Sequence, residues 1–403
     1  MTARSPLAHS PVPTRIYWDP ALTAYNFGDQ HPMNPERLRL TAELAEQFEI
    51  FDLENVSLGE PEIASDAELE HVHTAEYIEA VRAVSEDPTL SIPERGLGTA
   101  DDPAFAGMHD ASARIVGGSL LAARDVASGR ITHAVNFSGG LHHAMPGAAS
   151  GFCVYNDAAL AIQELLDLGV GRVIYIDVDA HHGDGVEKVF WDEPRVMTIS
   201  LHESGMTLFP GTGFANDIGG ANAEGTAVNV ALGARTGDGD WLRAFHSVVP
   251  QLAAAFEPEV IVSQHGCDSH RSDPLTNLRL SVDAQRQAVL SVDSLARKHT
   301  ESRWLALGGG GYNITSVVPR TWTHLMALAS GRAIPLETAV PAPWREMVKE
   351  RYGVEAPERM GDGADLWWKS WDIGYDPNSA IDRAIMATRK EVFPLHGLDP
   401  WFD

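Results

Sequence analysis

The chain is 403 residues long and 44% hydrophobic, enough for one large α/β domain or two ordinary ones. Its 30 basic residues against 56 acidic ones leave a net charge of −26, which argues against a nucleic-acid-binding surface and for solubility. The two cysteines, Cys153 and Cys267, make no disulfide framework, and no stretch reaches the roughly 18 apolar residues of a spanning helix. With no long apolar core at the N-terminus either, a reducing cytoplasm without a membrane anchor is the expected setting.

Residues 1–14, with three prolines, are expected to form a flexible arm. Order begins with a short strand at Arg15-Ile16-Tyr17-Trp18. Asn34 can then cap a helix with Pro35 at its first position, and Leu38, Leu40, Leu44 and Phe48 mark its apolar side. Arg37 falls in the first turn, where the helix dipole disfavours a cation; the placement suggests a specific partner, and a solvated arginine is the equal alternative. A helix over 74–86 leads into a long loop, 87–108, of the kind that forms binding loops or lids; Asp101 lies in it.

Helix 109–127 precedes a strand over 132–137 that runs into Ser138-Gly139-Gly140-Leu141-His142-His143. Asn156 or Asp157 starts a helix with Ala158, Ile162, Leu165 and Leu166 at core spacing. Further strands follow at 173–177, 196–201, 227–232, 259–264 and 303–307, with helices at 239–256 and 281–299. This alternation predicts a doubly wound, mainly parallel sheet with helices on both faces. No repeat or linker splits residues 15–332. The extension, 333–403, carries Trp367, Trp368 and Trp371 and is expected to pack on the domain or on another subunit.

Residues 172–185 are the chemical centre. Val173, Ile174, Tyr175 and Ile176 are too continuously apolar for a half-exposed strand, so both faces should be covered. If the strand persists, Asp177, Asp179 and His181 project to one side, and this D-x-D-x-H set suits a catalytic zinc or ferrous ion. Buried carboxylates side by side repel unless a cation or protons intervene. Three other strands also end in chemistry: at His142-His143, at Asp268 with the later Asp273, and at Tyr312 behind four glycines. Those glycines allow close backbone approach to a ligand, with amide donors facing it. A phosphate loop is a poor fit, because no helix start with Lys-Ser/Thr follows.

Five ordered blocks resemble the zinc-dependent histone deacetylase family, and within it the bacterial acetoin-utilisation deacetylases. They are Gly139-Gly140-Leu141-His142-His143-Ala144, Gly151-Phe152-Cys153-Val154-Tyr155-Asn156-Asp157, Asp177 through Gly185, Phe209-Pro210-Gly211-Thr212-Gly213, and Gly308 through Asn313. The resemblance covers about residues 15–332. It implies an arginase-like α/β fold and one catalytic metal, zinc or alternatively ferrous iron. It also implies hydrolysis of an acetyl-lysine amide to lysine and acetate.

The resemblance further implies Asp179, His181 and Asp273 as metal ligands, although the residue pattern alone does not prefer Asp273 to Asp268. His143 would be the general base and then acid, and His142 would tune the electrostatics; Asp184 and Asp177 stand behind them respectively. Tyr312 would donate a hydrogen bond to the developing oxyanion. Phe152 and Phe209 would wall a lysine channel beside Gly151 and Leu280, with Asp101 at the rim and Arg37 near an inner acetate-release cavity. A structural potassium ion would take oxygens from Asp177, Asp179, His181, Ser200 and Leu201, several from the backbone.

Ser272, where a glycine is common, the neighbouring His270-Arg271, and Leu208 in place of an aromatic depart from the family pattern. These departures bear on substrate preference more than on catalysis. The implied substrate is an acetylated protein, for example a metabolic enzyme such as acetyl-CoA synthetase. The alternatives are a small acetylated amine such as an acetylpolyamine, a non-catalytic acetyl-lysine-binding module, and a binuclear arginase-like hydrolase. The oligomeric state stays open.

Overall fold

The computed structural model describes residues 10–403 and contains eight strands. They are β1 (Thr14–Tyr17), β2 (Val56–Gly59), β3 (His133–Asn136), β4 (Val173–Asp177), β5 (Val196–Glu203), β6 (Ala227–Leu232), β7 (Val260–Gln264) and β8 (Trp304–Leu307). Every neighbouring pair is parallel, in the order β2-β1-β3-β8-β7-β4-β5-β6. The arginase-like α/β fold expected from the sequence is therefore present. β1 starts one residue earlier than predicted, because the Thr14 hydroxyl is tied to the carbonyl of Ala329 and its amide to Asn55. Of the expected arm, residues 1–9 lie outside the described residues.

β4 shows why its sequence reads as a continuous apolar run. Ile174 and Ile176 belong to one hydrophobic core, and Val173 and Tyr175 to a second on the opposite face. Alternation sends successive side chains to opposite sides of the sheet. The second core is completed by helices Met108–Ser128 and Asp157–Asp167, through Ala122, Val126, Ile162 and Leu165. The first is covered by helices Glu36–Gln47, Asp238–Phe256, Val282–His299 and Val318–Ala329. Side-chain caps fix helix starts where the sequence placed them: Thr74 accepts from the Tyr77 amide, Asn156 from Ala159 and Ser281 from Ala284. At the first helix Asn34 accepts from the Glu36 amide, and Pro35 sits in the cap position rather than at the first helical residue.

The extension lies along the domain. Trp344 donates its indole N–H to the Leu40 carbonyl, and buried Arg243 meets Asp382 at 2.6 and 2.8 Å. Asp362 receives Arg320 at 2.9 Å and faces His270 at 2.8 Å. Among the described residues no helix is long and apolar enough to cross a membrane. The four strands whose C-terminal ends carry the candidate site residues, β3, β8, β7 and β4, are consecutive at the centre of the sheet. Their following loops therefore meet in one place, where open α/β sheets bind ligands.

Candidate active site

β4 ends at Asp177, so Asp179 and His181 are not presented by an extended strand as predicted. The chain turns instead, held by side-chain-to-backbone bonds: Asp177 Oδ1 accepts from the Asp179 amide at 3.1 Å, and Asp179 Oδ1 from the His181 amide at 2.9 Å. Short acidic side chains favour such local turns. The turn brings His181 Nδ1 to 3.0 Å from both Asp179 Oδ1 and Asp268 Oδ2.

Asp179, His181 and Asp268 are all buried, and one donor atom from each lies within 4.8 Å of the others. This grouping corrects the expected ligand Asp273. The Asp273 carboxylate is engaged elsewhere, accepting from the Leu275 and Tyr312 amides at 2.9 Å each. The remaining oxygens of the triad are also occupied: Asp179 Oδ2 accepts from Gln264 Nε2 at 2.8 Å and from the Gly310 amide at 2.9 Å, and Asp268 Oδ1 from the Ala180 amide at 2.8 Å. Outer partners of this kind aim the free lone pairs inward.

Electrostatics and sterics both fit a cation here. Burial and the Asp179 charge raise the Asp268 carboxyl to about 6, and burial with the Asp268 charge raises Asp273 to about 7. Carboxylates that cannot all ionise mark a place short of positive charge. A Cβ at Gly266 would lie 1.9 Å from Asp179 Oδ2, and one at Gly310 2.2 Å from Asp268 Oδ2, so both approaches require glycine. Two carboxylates and one imidazole form a donor set for zinc or ferrous iron.

Two histidines face this cluster, each backed by a carboxylate. His142 Nδ1 lies 2.7 Å from Asp177 Oδ2, His143 Nδ1 lies 2.7 Å from Asp184 Oδ1, and the two rings are 4.0 Å apart. Burial opposes the charge on His142, but Asp177 and Asp179 outweigh it and lift its pKa to about 9. Burial and the neighbouring His142 instead lower His143 to about 4, against the pull of Asp184. The two adjacent imidazoles are thus shifted in opposite directions, His142 toward the charged form and His143 toward the neutral one.

The remaining expectations divide. Phe152 and Phe209 stand on two sides: Phe152 is 5.7 Å edge-on from Tyr312, and Phe209 is 5.1 Å from His143. A Cβ on Gly151 would meet the His143 ring at 2.5 Å. Phe152 has φ +67°, an outlier for an aromatic residue, and its carbonyl accepts a 2.7 Å bond from the Tyr25 hydroxyl. Asp101 accepts from the Gly151 amide at 2.9 Å, which puts it beside this wall.

Leu280 does not join the wall. It is 1% exposed, in the hydrophobic core, paired through the backbone with His270. Leu275, 36% exposed, is the leucine on that loop that reaches solvent. Arg37 has the specific partners its position suggested: its guanidinium donates to the Gly309 carbonyl at 2.7 Å and lies 5.1 Å from the centre of the Trp322 ring. The glycine run before Tyr312 therefore serves Arg37 and Asp179 rather than presenting all its amides to a ligand.

Sequence reasoning missed Gln264, Tyr175 and Asp157. Tyr175 donates to Asp177 Oδ2 at 2.8 Å, and its position two residues away on the same strand face was the available signal. Asp157 binds the Gly140 and Leu141 amides and so holds the turn that carries both histidines.

Comparison with known proteins agrees with this geometry. A family model for the histone deacetylase domain matches residues 31–329. The acetoin utilization protein AcuC of Bacillus subtilis (strain 168) is 42% identical over 379 residues, covering 93% of this chain and 97% of that protein. Its namesake from Staphylococcus xylosus is 40% identical over 326 residues, covering 80% and 84%. The crystal structure of an HDAC homolog complexed with SAHA superposes with a TM-score of 0.79 at 27% identity, covering 94% of this chain and 100% of that one. The chain therefore belongs to the histone deacetylase family, in its bacterial AcuC branch, and is a deacetylase of that type.

Proposed function

We propose that this protein is a metal-dependent lysine deacetylase, hydrolysing the acetyl-lysine amide of a cytoplasmic protein substrate to lysine and acetate. The observation that carries this reading is the pairing of His142 with Asp177 and His143 with Asp184 against one Asp179–His181–Asp268 cluster. A zinc or ferrous ion held by those three residues would polarise the acyl carbonyl and acidify the attacking water.

His143 stays unprotonated at neutral pH, and Asp184 orients it through Nδ1, leaving Nε2 to take the water proton. The same nitrogen then delivers that proton to the lysine nitrogen as the C–N bond breaks. His142, backed by Asp177 and stacked 4.0 Å from the His143 ring, lowers the basicity of His143, which favours release of the proton to the leaving amine. The Tyr312 hydroxyl, kept protonated by burial and the nearby Asp268 and Asp179 charges, donates to the oxyanion. Phe152 and Phe209 fit the slender lysine stem and exclude water. Asp177 and Ser200 are register partners on β4 and β5; with Asp179, His181 and Leu201 they are the residues that would supply oxygens to potassium.

The test is release of lysine and acetate from an acetyl-lysine peptide by zinc- or iron-loaded protein, beside metal-free protein and Tyr312→Phe. Turnover should require the metal and fall about 10²–10³-fold in Tyr312→Phe. Turnover of acetylpolyamine with none of the peptide would replace the protein substrate by a small amine.

A further inference from the structure

A concavity of about 510 Å³ has walls that carry Arg235, Arg271 and Arg279. A cluster of cations is unexpected on a chain of net charge −26. All three arginines are exposed, and among the described residues Arg235 and Arg279 form no ion pair. Arg271 has only Asp362 at 3.6 Å, a carboxylate already held by Arg320 at 2.9 Å and facing His270 at 2.8 Å. Behind the wall, buried Glu203 is satisfied by two lining residues, accepting from the Asn277 amide, the Asn277 side chain and the Thr207 hydroxyl, each at 2.9 Å.

The backbone fixes this arrangement. The Arg235 amide donates to the Asn277 carbonyl and the Arg279 amide to Thr236, both at 2.9 Å. The Arg271 amide donates to Leu280 at 2.9 Å, and the Leu280 amide to Ser269 at 3.0 Å. Three chain segments are thus laced side by side, each contributing one guanidinium. Like charges gathered around a single shared counter-ion, Asp362, repel one another.

Two lining segments run on toward the active site. Thr207, in the concavity wall, precedes Phe209 by two residues, and Arg271 lies between Asp268 and Leu275. Exposed Met206, 80% accessible, and Leu275 adjoin the lining residues Thr207 and Thr276 in the chain. On the opposite, Phe152 side stands Asp101.

We infer that this arginine cluster binds acidic side chains flanking the acyl-lysine, so that the enzyme prefers acetylated protein segments rich in Asp and Glu. This rests on the deacetylase reading above. At physiological salt charges act over about 8 Å, so a seated peptide feels the local arginines more than the distant negative surface. Guanidinium forks also match carboxylates in geometry.

The experiment uses full-length metal-loaded protein and three acetyl-lysine peptides identical except for Asp, Ala or Lys at the flanking positions. At low salt the Asp peptide should exceed the Lys peptide in kcat/KM by about tenfold, mainly through KM, and the ratio should shrink as salt rises. The Arg235→Ala/Arg279→Ala pair should bring the Asp-to-Ala ratio to about one, and Arg279→Glu should invert it. Equal turnover of the three peptides by the unaltered protein, or a ratio unchanged in both variants, overturns the inference. So does a site that inorganic phosphate saturates while the Asp peptide gains nothing over the Ala peptide.

If no peptide is hydrolysed, the protein-deacetylase reading fails. Fluorescence anisotropy with the same peptides, labelled, then decides the arginine site. Tighter binding of the Asp peptide, lost in the double variant, upholds it, and equal binding overturns it.

Discussion

Asp268→Asn and Asp273→Asn separate the two candidates for the third metal ligand. Asp268 Oδ2 points at the same spot as Asp179 Oδ1, each 3.0 Å from His181 Nδ1, whereas both Asp273 oxygens are spent on backbone amides. An asparagine at 268 can still accept from the Ala180 amide, so the loop should keep its shape. Altering a residue that merely supports a ligand costs about 10–100-fold in metal affinity, so losing a ligand itself should cost at least about 100-fold. With zinc at 100 times its dissociation constant, binding stabilises the native state by about 2.7 kcal/mol, and a 100-fold weaker site retains about 0.4 kcal/mol. For 403 residues the entropy of unfolding is about 0.85 kcal/mol/K. Zinc should therefore raise the Tm of wild type and Asp273→Asn by about 3 °C, and that of Asp268→Asn by about 0.5 °C. Differential scanning fluorimetry, with zinc content measured after dialysis, reads this without any substrate. Loss of the zinc increment in Asp273→Asn with its retention in Asp268→Asn would refute the assignment.

Three other expectations follow from single contacts. Because His142 lowers His143, His142→Asn should raise the His143 pKa above about 4 and move the acid limb of the kcat/KM profile to higher pH, since the base works only above its pKa; an unmoved limb contradicts the coupling. Gly151→Ala puts a Cβ 2.5 Å from the His143 ring at φ +55°, so turnover should fall at least about tenfold while zinc content stays at the wild-type level. Arg243→Met leaves Asp382 buried without its cation and should destabilise the docked extension by about 3–5 kcal/mol, seen as early proteolytic cleavage within 360–380; resistance equal to wild type would show that the pair does not hold the segment.

What was legible in the sequence was whatever local periodicity controls. The all-apolar β4 announced a strand covered on both faces, and the strand–helix alternation announced the parallel sheet. The helix starts expected at 74, 156 and 281 fall within about a residue of the observed ones, where Thr74, Asn156 and Ser281 act as caps. The pairing of carboxylates with His142 and His143, implied by family resemblance, is also present. Arg37 was only half legible: a cation against the helix dipole fitted a specific partner or a solvated side chain equally, and the structure supplies the partner, the Gly309 carbonyl and the Trp322 ring.

The loop after β7 shows where such reading stops. Asp268 and Asp273 both follow a buried strand, and neither periodicity nor charge distinguishes a ligand from a residue that positions its neighbour. The distinction comes from long-range contacts. Gly310, brought in from the end of β8, donates to Asp179 and leaves no room for a side chain beside Asp268, while Tyr312 from the same run occupies Asp273 through its amide. Leu280 was misplaced for the same reason, since the chain folds back at Arg271–Leu280 and buries it. That fold-back also places Arg271 beside Arg279. The departure in sequence at His270-Arg271 thus acquires a physical meaning only once the loop is closed: it adds a third guanidinium to a wall that Arg235 and Arg279 already line, next to the segments that shape the channel mouth.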